Sequence, residues 1–294
     1  MGDLPQSAAA MRRAAELAGP SASVAAVRVL GGGTHARTCL ITTANPRLEV
    51  VLRQFPPGDD AASREAEVLT ALDGLDGLAP RLLDHAPDSG TPEGSWTLIS
   101  RLTGAADITP ARPSTAAAQL GQTLARIHAI APRRWTALRT VPDRPGASDE
   151  TLSGPAAETV AAHWNLLADA PTVLTHHDYW SGNVVWDDGK LTGVVDWTGA
   201  GIGPRGFDVS WCRLDLYLLH GEPAADAFLA SYEAASGAAL DSRLLADLWA
   251  VARSHGYVET WEPNYSDLGR ADLTAGELRR RHTAWTEHLL ASQP

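Results

Sequence analysis

Cysteine is scarce: Cys39 and Cys212 are the two in 294 residues, far apart and without metal-ligand spacing. That excludes a disulfide-stapled scaffold and a zinc site built on thiolates. Long apolar runs are missing as well. No stretch approaches the length of a membrane span, and the N-terminus carries no basic-then-apolar leader, so the reducing cytoplasm is the expected compartment. Positive charge is short too, with 24 Lys and Arg against 35 Asp and Glu and a formal net charge of −11. This balance argues against nucleic acid or an anionic membrane as partner and suits a small, cationic one. Nothing in the sequence fixes an oligomeric state.

What is present begins with strands. Val24 to Leu30, Arg37 to Thr43 and Glu49 to Phe55 read as three β-strands, an opening meander rather than alternating βαβ units. Between the first two stand Gly31, Gly32, Gly33 and Thr34, where a backbone without side chains can approach phosphate oxygens through its N–H groups. Asp60 to Leu72 reads as a helix whose apolar stripe is Val68, Leu69 and Leu72. Glu65 shares that stripe and Glu67 points away. An inward carboxylate needs a cation to offset its desolvation, and Arg53, late in the preceding strand, is the candidate. A further short strand covers Trp96 to Ile99. Ser114 to Ile130 is an amphipathic helix, 132–155 is a Pro- and Gly-rich loop, and Ala224 to Leu290 has helical periodicity. Ten Trp residues are many for this length, and most are expected in the core.

The densest chemistry lies between His176 and Asp196. Thr172 to Thr175 reads as a buried strand that leads into His176-His177-Asp178-Tyr179-Trp180-Ser181-Gly182-Asn183. Asn183 to Trp186 and Leu191 to Trp197 then read as strands joined by a tight turn at Asp187-Asp188-Gly189-Lys190. In such a hairpin Asn183 and Asp196 are expected at one rim, with Asp178 beside them. Hard oxygen ligands for Mg²⁺ and a carboxylate that orients an attacking hydroxyl are what phosphoryl transfer from ATP requires. Asn183 and Asp196 suit the metal, and Asp178 suits the base. A shared metal site of His176, His177 and Asp178 is disfavoured, because neighbours on an extended chain face opposite ways. Gly199 to Pro204 reads as a loop, followed by a helix from Asp208.

The run His176-x-Asp178-x-x-x-x-Asn183, with a second Asp at position 196, resembles the catalytic segment of the kinase superfamily. Trp197, where protein kinases carry Phe-Gly, makes it similar to the aminoglycoside phosphotransferase and choline kinase branch of small-molecule kinases. The resemblance spans roughly residues 24 to 290. It implies an α+β, bilobal protein-kinase-like fold, with a small β-rich nucleotide-binding lobe over 1–101 and a larger, mainly helical catalytic and substrate-binding lobe over 102–294. It implies ATP as donor, with GTP the alternative, and Mg²⁺. Gly32, Gly33 and Thr34 would cover the phosphates, and Arg53, held by Glu65, would steady them in place of the usual Lys. Backbone from Ile99 to Leu102 would meet the adenine. His176 would brace the loop, His128 would pack, and Asp208 would hydrogen-bond the loop from below.

The acceptor is less defined. Glu259, Trp261, Glu262 and Asp267 form a cluster of acids and aromatics that suits an ammonium-bearing alcohol. The leading expectation is a kinase for an aminoglycoside, another cationic antibiotic or an amino sugar. The alternatives are a metabolic kinase of choline, homoserine or fructosamine type, and a nucleotide-binding pseudokinase.

Overall fold

The computed structural model describes residues 7–30, 36–88, 90, 92–130, 138 and 152–292. The chain divides into two compact units, residues 1–105 with 192–198 and residues 106–191 with 199–294.

The first unit opens with helix α1 (Ala8–Ala18), which starts at Ser7, where the side-chain hydroxyl accepts the Ala10 N–H at 3.3 Å. Strands β1 (Ser23–Val29), β2 (Arg37–Ala44) and β3 (Glu49–Gln54) follow as the expected meander. Then come α2 (Ala61–Leu72), β4 (Leu82–Ala86) and β5 (Trp96–Ser100), giving an antiparallel sheet in the order β1-β2-β3-β5-β4. Alternation along β2 and β3 sends Cys39, Ile41, Val50 and Leu52 to one face, where Ala10 and Ala14 of α1 join them in a buried cluster. Arg53 therefore belongs to the opposite face, and Thr97 is its register partner on β5. Helix α2 packs against β4 and β5. Glu65 is buried on it and Glu67 exposed, as the stripe implies.

In the second unit, after the two-residue β6 (Ala105–Ala106), come α3 (Pro113–His128), α4 (Ala157–Ala162), α5 (Trp164–Ala168) and β7 (Thr172–Thr175). Strands β8 (Val184–Asp187), β9 (Lys190–Val194), which belongs to the first unit from residue 192, and β10 (Gly201–Pro204) precede a run of helices: α6 (Arg205–His220), α7 (Glu222–Ser236), α8 (Arg243–Ser254), α9 (Glu262–Asp267) and α10 (Ala275–Ala291). The core of this unit is aromatic. Phe207 and Trp249 lie 4.3 Å apart between ring centroids, with Trp164 stacked on Phe207. Gly121 of α3 is needed where α7 crosses, because a Cβ there would stand 2.4 Å from the Phe228 carbonyl oxygen.

Three local expectations change. The segment from Gly199 to Pro204 is not a loop: Gly201 to Pro204 is strand β10, paired antiparallel with β7. A ladder uses backbone groups alone, so a Gly- and Pro-containing stretch can form one where no side-chain pattern announces it. The turn at Asp188-Gly189 is as expected, both residues having positive φ (47° and 73°), the type I′ geometry of a tight hairpin. Its second strand, however, ends at Val194 rather than Trp197, and Asn183 closes a 3-10 turn (Ser181–Asn183) rather than lying on β8. Trp197 instead opens the 3-10 turn Trp197–Gly199 and is fully buried, its indole N–H donating to the Val194 carbonyl at 2.9 Å.

Candidate active site

In the first unit the geometry centres on Arg53, which is 6% exposed. Its guanidinium donates to one oxygen of Glu65, whose other oxygen accepts the Thr97 hydroxyl at 2.7 Å. A second guanidinium nitrogen donates to Asp196 Oδ1 at 2.8 Å, and the Thr198 hydroxyl donates to the same oxygen. Burial lowers the pKa of Arg53, but Glu65 and Asp196 more than offset it, and the group is held above its ordinary value. The Arg53 and Glu65 pairing read from the sequence is thus present, and Asp196 joins it. Asp196 has φ 61°, a left-handed conformation just past the end of β9, which turns its carboxylate out of the strand's alternation. Ile99 is buried on β5 and Leu102 is half-buried. Leu102 presses on the end of β9, where a Cβ on Gly193 would stand 2.5 Å from its Cδ1. Gly32, Gly33 and Thr34 lie outside the described residues.

In the second unit the loop from His176 to Asn183 is held by one face of α6. Asp208, Trp211 and Asp215, at i, i+3 and i+7, reach it in turn. Asp208 is fully buried, and its two carboxylate oxygens accept the backbone N–H groups of His176 and His177, each at 2.7 Å. His128 contacts Asp208 Oδ2 through Nε2 at 3.1 Å and the Tyr232 hydroxyl through Nδ1 at 2.9 Å. Burial alone would raise the Asp208 pKa, but His128 and His176 hold it below the usual carboxylate range. These contacts allow His177 to keep a positive φ of 64°. His176 is fully buried, its ring edge-on to Tyr179.

One helical turn on, the Trp211 indole N–H donates to Asp178 Oδ1 at 3.1 Å. The Asn183 side-chain amide donates to Asp178 Oδ2 at 3.0 Å and to the Asp178 carbonyl at 2.9 Å. With the NH₂ turned toward Asp178, the planar amide directs its carbonyl oxygen the other way, as a hard ligand needs. Gly182 is required beside it, since a Cβ there would lie 2.2 Å from the Trp180 ring. Asp215 completes the row. Its Oδ2 accepts the Ser181 N–H at 3.0 Å and the Ser181 hydroxyl at 2.5 Å, and its Oδ1 accepts the Tyr265 hydroxyl at 2.9 Å. Burial, only partly offset by these donors, pushes its pKa up to about 6.

The structure therefore joins Asp178 with Asn183 and Arg53 with Glu65 and Asp196. Trp211, Asp215, Ser181 and Tyr265 were missed by the sequence reading. The signal for two of them was available, because Trp211 and Asp215 share the helical face of Asp208. Among the described residues, no group of three or more His, Cys, Asp and Glu could hold a metal ion. Asn183 in the second unit and Asp196 in the first each carry an oxygen of the hard kind that Mg²⁺ takes.

The segment expected to meet the acceptor is helical, a 3-10 turn (Val258–Trp261) running into α9. Arg279 holds Glu259 with two donations, at 2.5 and 2.6 Å, and Glu262 accepts the Ala275 N–H at the start of α10 at 3.0 Å. Asp267 is exposed at the end of α9. Trp261 packs edge-on against Trp211, with centroids 5.3 Å apart.

Several solved structures share this architecture. A thermostable mutant of aminoglycoside phosphotransferase APH(4)-Ia, in ternary complex with AMP-PNP and hygromycin B, matches with TM-score 0.61 and 17% identity, over 98% of this chain and 100% of that one. The macrolide 2′-phosphotransferase MphH from Brachybacterium faecium matches with TM-score 0.55 and 19% identity, over 95% of this chain and 96% of that one. The Plasmodium vivax ethanolamine kinase matches with TM-score 0.56 and 13% identity, over 88% and 81%. At such identities the likeness establishes the α+β, protein-kinase-like fold. None of the curated proteins compared matches the sequence. The model of the phosphotransferase enzyme family matches residues 26–246, well over half of the chain, and the protein belongs to that family.

Proposed function

We propose that the protein transfers the γ-phosphoryl group of ATP, with GTP the alternative donor, to a hydroxyl of a small molecule. The observation that carries this reading is Asp178, whose carboxylate is fixed by Asn183 on one oxygen and Trp211 on the other. So held, it can orient an alcohol and accept its proton. Residues 1–101 would serve as the nucleotide-binding lobe and 102–294 as the catalytic and acceptor-binding lobe. Arg53, placed by Glu65, would steady the phosphates, with backbone from Ile99 to Leu102 at the base and Gly32, Gly33 and Thr34 over the phosphates. Asn183 and Asp196 would each give an oxygen to Mg²⁺. When bound, the ion would offset the negative charge that develops on the transferred phosphoryl group.

Support comes from the family match and from relatives crystallised with AMP-PNP and hygromycin B or named for macrolide and ethanolamine substrates. An aminoglycoside, another cationic antibiotic or an amino sugar is one acceptor class, and an antibiotic acceptor would make the protein a resistance enzyme. A metabolic alcohol of choline, homoserine or fructosamine type is the other. Cys39 and Cys212, both buried free thiols, fit a cytoplasmic setting. Among the described residues no helix is long and apolar enough to cross a membrane.

One observation favours a second reading, a nucleotide binder without turnover: Arg53 donates to Asp196, the carboxylate assigned to the metal. Acceptor-dependent ADP release from Mg-ATP separates the two, and calorimetric titration with AMP-PNP, with and without Mg²⁺, tests the metal assignment. Binding strengthened by Mg²⁺ in the wild type, with that dependence lost in Asp196→Ala, supports the kinase; the same metal dependence in both proteins contradicts the assignment.

A further inference from the structure

Tyr265 of α9 is 2% exposed and packs in the aromatic core of the second unit, where a phenylalanine would fill the same space. Its hydroxyl is what packing does not require, since a buried polar group costs stability unless it is bonded. That hydroxyl donates to Asp215 Oδ1 at 2.9 Å, and among the described residues this oxygen has no other donor. The other oxygen of the same carboxylate accepts both the N–H and the hydroxyl of Ser181. The Tyr265 ring meets Trp180 edge-on at 84°, with centroids 5.8 Å apart. Tyr265 therefore bears on two consecutive residues of the loop, Trp180 through its ring and Ser181 through Asp215.

Both residues govern where Asn183 lies. The Asn183 N–H donates to the Trp180 carbonyl at 3.0 Å, closing the 3-10 turn Ser181–Asn183. The Trp180 ring lies over Gly182, where there is no room for a Cβ. Each residue of the turn is thus referred either to Trp180 or to Asp215, and the Asn183 amide that leaves it donates to Asp178. A shift at Ser181 carries to both ends of that amide, and a displacement of about 1 Å is costly where a reaction depends on position.

On the premise that Asn183 and Asp178 act as just proposed, we infer that Tyr265 is a positioning residue for the phosphoryl transfer. Through Asp215 and Trp180 it sets the turn Ser181–Asn183, and with it the Asn183 oxygen offered to Mg²⁺ and the amide that holds Asp178. Groups that orient a metal ligand from behind typically change metal affinity or activity by about 10- to 100-fold when removed.

The test is calorimetric titration of the full-length protein with AMP-PNP, with and without Mg²⁺, on the wild type, Tyr265→Phe, Ser181→Ala and the double variant. ADP release from Mg-ATP is measured beside it, with kanamycin, choline and homoserine as acceptors. Tyr265→Phe keeps the ring and removes only the hydroxyl. It should cut the Mg²⁺ enhancement of AMP-PNP affinity about tenfold, leave the affinity without Mg²⁺ within about twofold, and lower kcat for the acceptor turned over with little change in its KM. Ser181→Ala should do the same, and the double variant should be no worse than the more affected single one, because both act through Asp215. Thr286→Val removes another buried hydroxyl of the same unit, one that donates to the His282 carbonyl at 2.8 Å, and should change neither quantity. Undiminished Mg²⁺ enhancement in Tyr265→Phe overturns the inference and leaves the kinase reading standing. So does an equal loss of affinity with and without Mg²⁺, the mark of a merely structural hydroxyl. Absence of Mg²⁺ enhancement in the wild type removes the metal assignment, and the inference with it.

Discussion

The two ends of the proposed machinery are held by different means. In the first unit, Arg53 is fixed by side chains alone, through Glu65, Asp196 and the Thr97 that supports Glu65. In the second, the loop carrying Asp178 is fixed through its backbone, Asp208 accepting from residues 176 and 177 and Asp215 from 181. The difference follows from what each end must place. A guanidinium that has to meet phosphate needs carboxylates that set its position and keep it charged in a buried setting. A base that must meet a hydroxyl within hydrogen-bond reach needs the main chain beneath it to be rigid, and carboxylates aimed at N–H groups provide that.

Breaking the backbone brace should have the larger effect. Asp208→Ala leaves two buried N–H groups and His128 without their acceptor, so stability should fall by about 3 kcal/mol or more. Denaturant unfolding reads this directly, and kcat should fall with it while KM for ATP changes less. In the first unit, Glu65→Gln keeps a hydrogen-bond acceptor and removes the charge. It should raise KM for ATP about tenfold, with a stability loss smaller than that of Asp208→Ala. Equal damage from both changes would erase the contrast between side-chain and backbone anchoring.

The smallest effect is a pH dependence. Asp215 has its pKa raised in the folded state to about 6 from an ordinary value of 3.8. A carboxyl raised on folding favours the folded state fully below its unfolded pKa and loses that contribution as pH rises through the folded one. Unfolding free energy should therefore decline between about pH 4 and pH 6 through this group. Asp215→Asn should flatten that slope, and an unchanged slope would assign the dependence to other groups.

Much of this was legible in the sequence because it rests on local rules. The Asp188-Gly189 turn needs positive φ, which its residue types accept, and Glu65 faces inward because of its place on a helical stripe. The spacing of Asp178 and Asn183 fits because five residues of loop fold back through the turn Ser181–Asn183. What escaped depends on contacts distant in sequence. Trp211 reaches Asp178 across 33 positions and Asp215 reaches Ser181 across 34, so the helical face they share with Asp208 marks them without naming what they touch. Strand β10 escaped because main-chain pairing leaves no side-chain signature. Glu259 and Glu262 looked available to a ligand, yet Arg279 and the start of α10 engage them, and composition alone cannot reveal such partners.

The central claim, that Asp178 is the base of a phosphoryl transfer, is tested most directly by Asp178→Ala, assayed for acceptor-dependent ADP release and, in parallel, for AMP-PNP binding by calorimetry. The account predicts a loss of transfer of about 10²-fold or more, the scale of a positioned general base, with nucleotide affinity within a few-fold of wild type. Full transfer activity in that variant would contradict it.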